Sequence, residues 1–411
     1  MILTKYKLGD ILDVTRGASL SGEFYATKGE YIRLTCGNFD YQNNCFKENK
    51  SKDNLYYVGD FKPEFLMEEG DIITPLTEQA IGLLGSTAII PESGKYIQSQ
   101  DVAKIICNED LLDKDFAFYL ISSALVKQQL SAAAQQTKIR HTSPDKIKDC
   151  TVWIPELSEQ KRIGKLLRSI DRKIELNRAI NQNLEAMAKQ LYDYWFVQFD
   201  FPNEEGKPYK SSGGEMVWNE KLKRNMPKEW CAMTIGEVEN NIITGKTPSC
   251  ADEDNFGGDI PFITIDDIRG NLFVFNSQRT LSTKGAESQT KKYLPSGSLS
   301  VSCIGTIGVM GFIAKLSQTN QQINSIVFEN EHNREFVYFA LKLYFENAKA
   351  KTGNVFANMS KDEFASIKVV YSPKQILQEF HNKVVAIFDN IKNNIDEINA
   401  LTKQRDELLP L

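Results

Sequence analysis

Two long stretches of the chain repeat apolar positions with heptad spacing. The first steps alternately by four and three residues, at Ile163, Leu167, Ile170, Ile174, Asn177, Asn181, Leu184, Ala188, Leu191 and Trp195. The second steps alternately by three and four residues, at Leu377, Phe380, Val384, Ile387, Ile391, Asn394, Ile398, Leu401, Arg405 and Leu408. Seams of this length are typical of helices that pair as a coiled coil. Because each helical residue adds about 1.5 Å, the pattern predicts two rods of about 50–60 Å.

Three seam positions carry asparagine instead of an apolar side chain. A polar residue in a coiled-coil core lowers stability and fixes register, so Asn177, Asn181 and Asn394 are expected to set how the two helices align. The apolar positions predicted to serve helix pairing or partner binding are Ile163, Leu167, Ile170, Ile174, Leu184, Phe380, Val384, Ile387, Ile391 and Ile398. The alternative is that both helices belong to an ordinary helical bundle.

Outside the seams, apolar and polar residues alternate over short runs that Gly, Pro, Asn and Asp interrupt. Residues 31–34, 71–74 and 260–265 are examples, and such runs predict short strands in an irregular sheet. The segments "DKDFAFYLISSALVKQQLSAAAQQ" and "NREFVYFALKLYFENAKAK" predict one amphipathic helix in each half. This mixture favours the α+β class over a regular doubly wound sheet.

The two halves of the chain share one order of segments. "VWIPELSEQKRIGKLLRSIDRKIE" and "VVYSPKQILQEFHNKVVAIFDNIK" both run from a strand end through proline, glutamine and aspartate. Upstream, "KLGDILDVTRGASL" corresponds to "TIGEVENNIITGKTPS", and "QDVAKIICNED" to "QQINSIVFENE". Such repetition predicts a duplicated module. We expect a globular head over 1–154, a long helix over 155–200, a linker with a second head over 201–372, and a second long helix over 373–411.

Composition places the chain among globular proteins rather than membrane or disulfide-stapled ones. It is 41% apolar and 25% charged, with a net charge of -5, so any nucleic-acid contact must rest on local patches. No apolar run reaches the roughly 20 residues of a membrane span, and the N-terminus does not resemble a signal peptide. The seven cysteines form no C-x-x-C pair, which indicates reduced thiols in a cytoplasmic protein.

A segment reading "TGKTPS" at residues 244–249 resembles the end of a nucleotide-binding P-loop. A P-loop requires a further glycine five residues before its Gly-Lys-Thr, since the whole loop wraps the phosphates with backbone N–H groups. That position is Asn240 here. The segment is therefore interpreted as a turn after a strand, with a phosphate-loop ATPase as the alternative.

The residues that could support catalysis do not form a recognised pattern. None of the three histidines neighbours a Ser or Cys in a nucleophile signature, and His332 and His381 are expected to be solvated. The carboxylate pair Asp266 and Asp267 lacks the Glu-x-Lys of a nuclease and is interpreted as a strand-end turn. We expect a chain without catalytic activity.

Basic and amide-rich segments recur at matching places in both halves. Lys and Arg suit phosphates, while Arg, Gln and Asn can also contact purine edges in the major groove. Solvated surface is the alternative interpretation of each segment taken singly. The DNA-contact candidates are Arg16, Ser19, Lys138, Arg140, His141, Lys246, Thr247, Ser249, Asp266, Arg269, Lys351, Thr352 and Asn354.

The combination of these segments resembles the specificity subunits of Type I restriction-modification systems. The likeness is carried by "TGKTPS…GGDIPFITIDDI", "YLPSGSLSVSCIGTIG", "TNQQINSIV", "WIPELSEQKRIGKLLRSIDRKIELN" and "LYDYWFVQFDFPNEEGKPYKSSGGEMV". It spans nearly the whole chain. The first half matches less well, since "RGASL" stands in place of Gly-Lys-Thr-Pro-Ser and "LTCGNFD" in place of "ITIDDIRG".

The resemblance implies two target recognition domains that each read one half of an asymmetric, bipartite site on double-stranded DNA. It also implies that the long helices pair antiparallel, act as a ruler for the spacer, and dock two modification subunits. Those subunits would bind S-adenosylmethionine and methylate a flipped adenine. Restriction subunits would bring ATP and Mg, so this chain would bind none of these cofactors and no metal.

Two hypotheses follow for the DNA contacts. Each head would enter a major groove, with the half-sites about one helical turn, roughly 34–36 Å, apart. The "TGKTPS" turn would present backbone N–H groups, Lys246 and Thr247 to a DNA phosphate. The alternative function is a non-enzymatic coiled-coil scaffold whose repeated heads bind protein or glycan.

Overall fold

A computed structural model describes residues 2–50, 53–78, 80, 82–134, 140–352 and 358–408, with the backbone alone at 134, 140, 351 and 352. The chain divides into two compact units. Unit 1 comprises Met1–Ile174 with Leu401–Leu411, and unit 2 comprises Glu175–Ala400. Each unit therefore contains one head and part of each long helix.

Unit 1 is built from short strands and a few helices. Its strands are β1 Thr4–Lys7, β2 Leu12–Arg16, β3 Tyr25–Ala26, β4 Tyr31–Arg33, β5 Phe39–Asp40, β6 Cys45–Phe46, β7 Tyr56–Tyr57, β8 Ile72–Pro75, β9 Thr77–Glu78, β10 Ala88–Ile89, β11 Tyr96–Ile97, β12 Val102–Cys107, β13 Arg140–His141 and β14 Thr151–Ile154. Its helices are α1 Leu8–Ile11, α2 Lys114–Ile121, α3 Ala124–Ala134, α4 Pro144–Lys148 and the first part of α5 Leu157–Tyr192.

The first head combines two four-stranded sheets. One has the order β10-β8-β12-β2 with antiparallel pairs, and the other has the order β11-β4-β7-β3 with β11 parallel to β4. The first strand, β1, pairs with the last, β14. A core that includes Ile11, Ile105, Phe116 and Leu167 joins the first sheet to α2 and to the start of α5.

Gln160 fixes the start of α5 against the first head. Its Oε1 accepts a hydrogen bond from Asp113 N at 3.0 Å, and its Nε2 donates to Leu111 O at 3.0 Å and to Pro155 O at 2.9 Å. Asp113 in turn caps α2 by accepting a hydrogen bond from Phe116 N at 2.9 Å. Because Gln160 is buried, its amide satisfies backbone groups that water cannot reach.

Unit 2 repeats this plan. Its strands are β15 Met216–Asn219, β16 Arg224–Pro227, β17 Cys231–Thr234, β18 Ile242–Thr244, β19 Phe256–Ile263, β20 Phe273–Val274, β21 Arg279–Leu281, β22 Leu299–Ser302, β23 Met310–Ile313, β24 Gln318–Thr319, β25 Ile323–Ile326 and β26 Lys368–Tyr371. Its helices are α6 Ile235–Val238, α7 Ile265–Ile268, α8 Thr283–Glu287, α9 Arg334–Thr352, α10 Lys361–Ala365 and most of α11 Lys374–Leu408.

The sheets of the second head follow the strand order of those in the first, although the smaller sheet has three strands where the first head has four. The order β23-β22-β25-β18 corresponds to β10-β8-β12-β2, with β20 added at the edge. In the smaller sheet, β24 lies parallel to β19 as β11 lies parallel to β4. The pair β17 and β26 closes the head as β1 and β14 close the first. The predicted internal duplication and the α+β class are both confirmed.

The two long helices have the predicted length and pair antiparallel. The helix α5 has 36 residues and ends in a π-helical turn at Asp193–Val197, and α11 has 35 residues. Within unit 2, Asn394 Nδ2 donates to Asn181 Oδ1 at 2.8 Å, and Asn177 Nδ2 donates to Glu397 Oε2 at 2.8 Å. Residue numbers rise along α5 as they fall along α11, which is the antiparallel direction. The asparagines predicted to set register therefore contact one another or a glutamate.

The apolar seam also holds the heads. In unit 1, Leu167 is buried and Ile163 half-buried in the core of the first head, and Ile170 and Ile174 are buried. In unit 2, the seam residues that pack in the core containing α9 are Leu184, Ala188, Leu191, Trp195, Leu377, Phe380, Val384, Ile387 and Ile391. Ile398 is half-buried. One stripe thus serves both helix pairing and head packing.

No helix among the described residues is long and apolar enough to cross a membrane.

Candidate nucleic-acid interface

The "TGKTPS" segment lies against the backbone that follows β24. A Cβ atom on Gly245 would lie 2.1 Å from Asn320 O and 2.4 Å from Thr319 O, so only glycine fits here. Gly245 N donates to Ile323 O, and Lys246 N donates to Thr319 O, both at 3.0 Å. These N–H groups are already bonded and cannot bind a phosphate. The hypothesis that the turn presents them to DNA is therefore wrong at these two positions, and a phosphate loop could not use these two N–H groups either.

The first head uses glycine in the same way. A Cβ atom on Gly17 would lie 2.3 Å from Gln98 O and 2.4 Å from Ser99 O. Ala18 N donates to Gln98 O at 3.0 Å, and Arg16 Nε donates to Gln100 O at 2.8 Å. Close strand packing thus requires the glycine that "RGAS" and "GKTP" share. It does not require Lys246, which explains why the first head has no lysine after Gly17.

The candidate side chains around these glycines lie at the surface. Arg16, Ser19, Lys246 and Ser249 are exposed, and Thr247 is half-buried. Thr247 Oγ1 donates to Gln321 Oε1 at 2.6 Å.

A polar cleft of about 500 Å³ opens in the second head beside this turn. Segments distant in sequence meet there because β19 and β24 are parallel, so the residues that follow Ile263 and Thr319 emerge at one edge. The cleft is lined by Thr264, Ile265, Asp266, Arg269, Gln278, Arg279, Gly305, Thr306, Asn320 and Gln322. It unites two predicted site residues, Asp266 and Arg269, whose side chains approach to 3.8 Å.

The two adjacent aspartates have different roles. Asp267 is buried and caps α7: its Oδ2 accepts hydrogen bonds from Thr264 N and Thr264 Oγ1 at 2.8 and 2.7 Å, and its Oδ1 accepts one from Gln278 N at 2.8 Å. The prediction of a strand-end turn is therefore confirmed. Asp266, by contrast, is exposed and lines the cleft.

The first head has the same turn with a different residue. Thr35 N donates to Asn38 Oδ1 at 2.9 Å, and Asn38 is buried as Asp267 is. This capping box follows β4, the counterpart of β19. The segments "LTCGNFD" and "ITIDDIRG" therefore form a similar capping box, although their sequences match poorly.

Sequence reasoning missed six polar residues of the cleft: Thr264, Gln278, Arg279, Thr306, Asn320 and Gln322. The guanidinium of Arg279 lies over the Phe256 ring, 4.5 Å from its centroid. Asn320 Nδ2 donates to Gln322 Oε1 at 3.0 Å, and Gln322 N donates to Asn320 Oδ1 at 3.1 Å. Gln321, between them, accepts the hydrogen bond from Thr247, which links the turn to the cleft. The segment "TNQQIN" was the available signal, since three consecutive amide side chains are polar without being charged.

The remaining candidates are spread over other segments. In the first head, His141 is exposed in β13, and its Nδ1 lies 3.3 Å from Thr77 Oγ1, while the Arg140 backbone pairs with Glu78. Lys351 and Thr352 form the end of α9. Lys138 and Asn354 lie outside the described residues.

The expectation that His381 is solvated is wrong. It is buried, and its Nδ1 lies 2.6 Å from Oε2 of Glu335, which is 0% exposed. Arg334 Nη2 donates to the other carboxylate oxygen at 3.1 Å, and the half-buried His332 ring lies 5.0 Å from that of His381. Because His381 lies next to seam residue Phe380 and faces α9, its side chain contacts Glu335 inside the unit instead of facing solvent. Among the described residues, no group of three or more His, Cys, Asp or Glu is placed to hold a metal ion.

Comparison with known proteins gives a consistent family relation. The family model described as the Type I restriction modification DNA specificity domain matches residues 3–186 and 227–406, once in each half. The chain is 30% identical over 368 residues to the Type I restriction enzyme HindI specificity subunit of Haemophilus influenzae, covering 77% of this chain and 80% of that one. It is 22% identical to the MjaIX specificity subunit of Methanocaldococcus jannaschii, covering 74% and 69%.

A solved structure supports the fold. The crystal structure of the Type I restriction-modification system S subunit from M. genitalium superposes with a TM-score of 0.59 at 16% identity, over 99% of this chain and 95% of that chain.

Proposed function

Because the chain belongs to the Type I restriction modification DNA specificity family, we propose that it reads a bipartite, asymmetric DNA sequence, one half with each head. The observation that carries this proposal is the duplicated head, with the same order of strands and the same glycine at the edge of each main sheet. Two similar but diverged readers on one chain suit a target with two different halves.

In the second head, the polar cleft is the proposed reading surface. Its amides and guanidinium groups match the donors and acceptors of base edges in the major groove. Arg279, Asn320 and Gln322 would contact bases, since ring stacking and mutual hydrogen bonds hold them in place. Lys246 and Arg269 are exposed beside them and would contact phosphates.

The chain would recognise DNA and leave catalysis to its partners. We propose that modification subunits bind S-adenosylmethionine and that restriction subunits bind ATP and Mg. The N–H groups of Gly245 and Lys246 support the assignment of ATP to a partner subunit. They are bonded to backbone oxygens, so the segment that resembles a phosphate loop cannot use them to bind phosphate.

An outward apolar face of α5 supports partner docking. Leu176, Ile180 and Met187 on α5, and Tyr194 in the π-helical turn after it, are separated by four, seven and seven residues, and their exposed fractions are 59%, 37%, 58% and 37%. Beside them, Met187 and Tyr194 border a surface groove of about 510 Å³. The first apolar seam of α5 is already paired with α11. A second apolar seam on the same helix is typical of a surface that binds further helices. We propose that modification subunits bind here.

Sequencing the methylome of a host that carries this chain with its partner subunits tests the reading surface. Replacing Arg279 by Gln removes a bidentate donor, so base preference should relax by about ten- to hundredfold at one or two positions of a single half-site. The other half-site and the spacer should not change. Lys361→Gln, an exposed change on α10 outside the cleft, is the matched control. Unchanged methylated sequences in the Arg279 variant would contradict the proposed role of the cleft.

A further inference from the structure

An apolar cavity of about 430 Å³ lies in unit 2, away from the polar cleft. It opens to solvent and is bordered by the end of α5 and the π-helical turn after it, by α9, by β26 and by the β15–β16 hairpin. Its lining is Tyr192, Phe196, Leu222, Arg224, Ala340, Leu343, Tyr344, Asn347, Ala348, Lys368, Val369 and Val370. This volume is within the range of small-molecule sites, which are mostly apolar with a few placed polar groups.

The walls of the cavity are fixed by the core of unit 2. The Tyr192 ring stacks on that of Phe196 at 5.2 Å and contacts Phe339 at 5.4 Å. Phe196 in turn packs on Phe336 and Phe380 at 4.9 and 5.0 Å. Because these rings belong to the buried aromatic centre of the unit, the cavity is a preformed space.

Arg224 borders this space without an acidic partner. Its Nη2 donates to Val197 O at 3.1 Å, and its guanidinium lies 4.8 Å from the Phe199 ring centroid. Across the described residues, no Asp or Glu forms an ion pair with it. Burial lowers the pKa of this guanidinium, because it is half-removed from water. A cation in this setting is stabilised by any anion that enters.

Two further donors face the same cavity. Tyr192 is buried and lines the cavity. Burial raises the pKa of this phenol well above its usual range, so it remains a neutral donor. Lys368 is exposed at the rim. The cavity therefore combines an apolar body with donors, and no acidic residue lines it.

We propose that this cavity binds a small amphiphilic carboxylate, with its apolar body against Phe196, Leu343 and Val369 and its carboxylate on Arg224 and Tyr192. The planar fork of a guanidinium matches a carboxylate, which accepts two parallel hydrogen bonds. The site is separate from the reading surface and extends the function beyond DNA recognition.

Calorimetric titration of the full chain with decanoate, decan-1-ol and acetate, each below its aggregation limit, tests this assignment. Decanoate should bind saturably and about tenfold or more tighter than decan-1-ol, because only the acid makes a charge-assisted pair. Acetate should not bind measurably, because it lacks the apolar body. In Arg224→Gln, the ratio between decanoate and decan-1-ol should fall to about one.

Two variants keep the test independent of folding defects. Arg224→Lys retains the charge and should keep part of the preference for decanoate. Lys228→Gln removes an exposed charge just after the same strand, outside the cavity lining, and should bind like the wild-type chain. The proposal fails if wild-type protein binds decanoate and decan-1-ol equally, if it binds neither, or if Arg224→Gln keeps the preference.

Discussion

At the scale of single residues, Gly17 and Gly245 are dictated by a neighbouring backbone rather than by a ligand. Gly17 follows β2 and Gly245 follows β18, and both lie where a side chain would overlap carbonyl oxygens of the partner segment. At Gly245, a resemblance to a phosphate loop and a lack of space for a side chain both favour glycine. The structure supports the lack of space, because the N–H groups that a phosphate would need are bonded within the sheet edge.

Gly245→Ala should lower the free energy of unfolding by about 3 kcal/mol, because the added methyl group forces two segments apart. Gly17→Ala should have a similar effect in the first head. Gly22→Ala is the control, since a Cβ there would meet nothing closer than 3.9 Å, and its effect should stay within about 0.5 kcal/mol. Denaturant unfolding of the full chain measures all three, and equal stabilities would refute the packing argument.

At the scale of elements, α5 and α11 are joined through polar pairs at fixed register. The bonds from Asn394 to Asn181 and from Asn177 to Glu397 place Leu184 opposite Ile391 within unit 2. An insertion in α5 alone would shift the residues on one side of the insertion out of register with their partners on α11. The ruler hypothesis is therefore tested with a matched pair of insertions.

One heptad inserted after Leu184, together with one inserted after Asn390, should preserve the pairing. Each adds about 10 Å of helix, so the spacer between the half-sites should lengthen by about three base pairs. The half-site sequences should stay the same in methylome sequencing. The insertion after Leu184 alone is the comparison, and it should lower the thermal stability of the chain. Altered half-sites at an unchanged spacer would rule out the ruler.

At the scale of the whole molecule, each head begins and ends in one two-stranded ladder. The pairs β1–β14 and β17–β26 bring the entry and exit of each head together. A head can therefore be replaced without cutting its own sheets, which supports treating residues 1–154 as an exchangeable part.

Exchanging residues 1–154 for the corresponding head of a relative should change one half of the methylated sequence and leave the other half and the spacer intact. Methylome sequencing of a host with the chimaera and the partner subunits gives the result. The reciprocal exchange of the second head, over 231–371, serves as the control. A chimaera that altered both halves would contradict independent reading.

The sequence predicted the long helices and the duplication well, because heptad periodicity and ordered repeats are local signals. It did not predict the cleft, because Arg279 on β21 and Asn320 after β24 meet only where both strands pair with β19, and these contacts join distant segments. The burial of His381 was not predicted for a similar reason: its partner Glu335 comes from another helix. The hydrogen bonding of Gly245 N and Lys246 N likewise depends on strand packing that no motif encodes.

The bond from Arg405 to Asp171 can form only long after Asp171 has been synthesised. Arg405 Nη1 donates to Asp171 Oδ1 at 3.2 Å, and the two residues are 234 positions apart within unit 1. At about 5–20 residues per second, a ribosome needs roughly ten to fifty seconds to make that interval. During this time Tyr119, whose hydroxyl donates to Asp171 Oδ2 at 2.5 Å in the complete structure, has been synthesised, but Arg405 has not. Unit 1 therefore gains this contact only after residues 175–400, which form unit 2, have been synthesised.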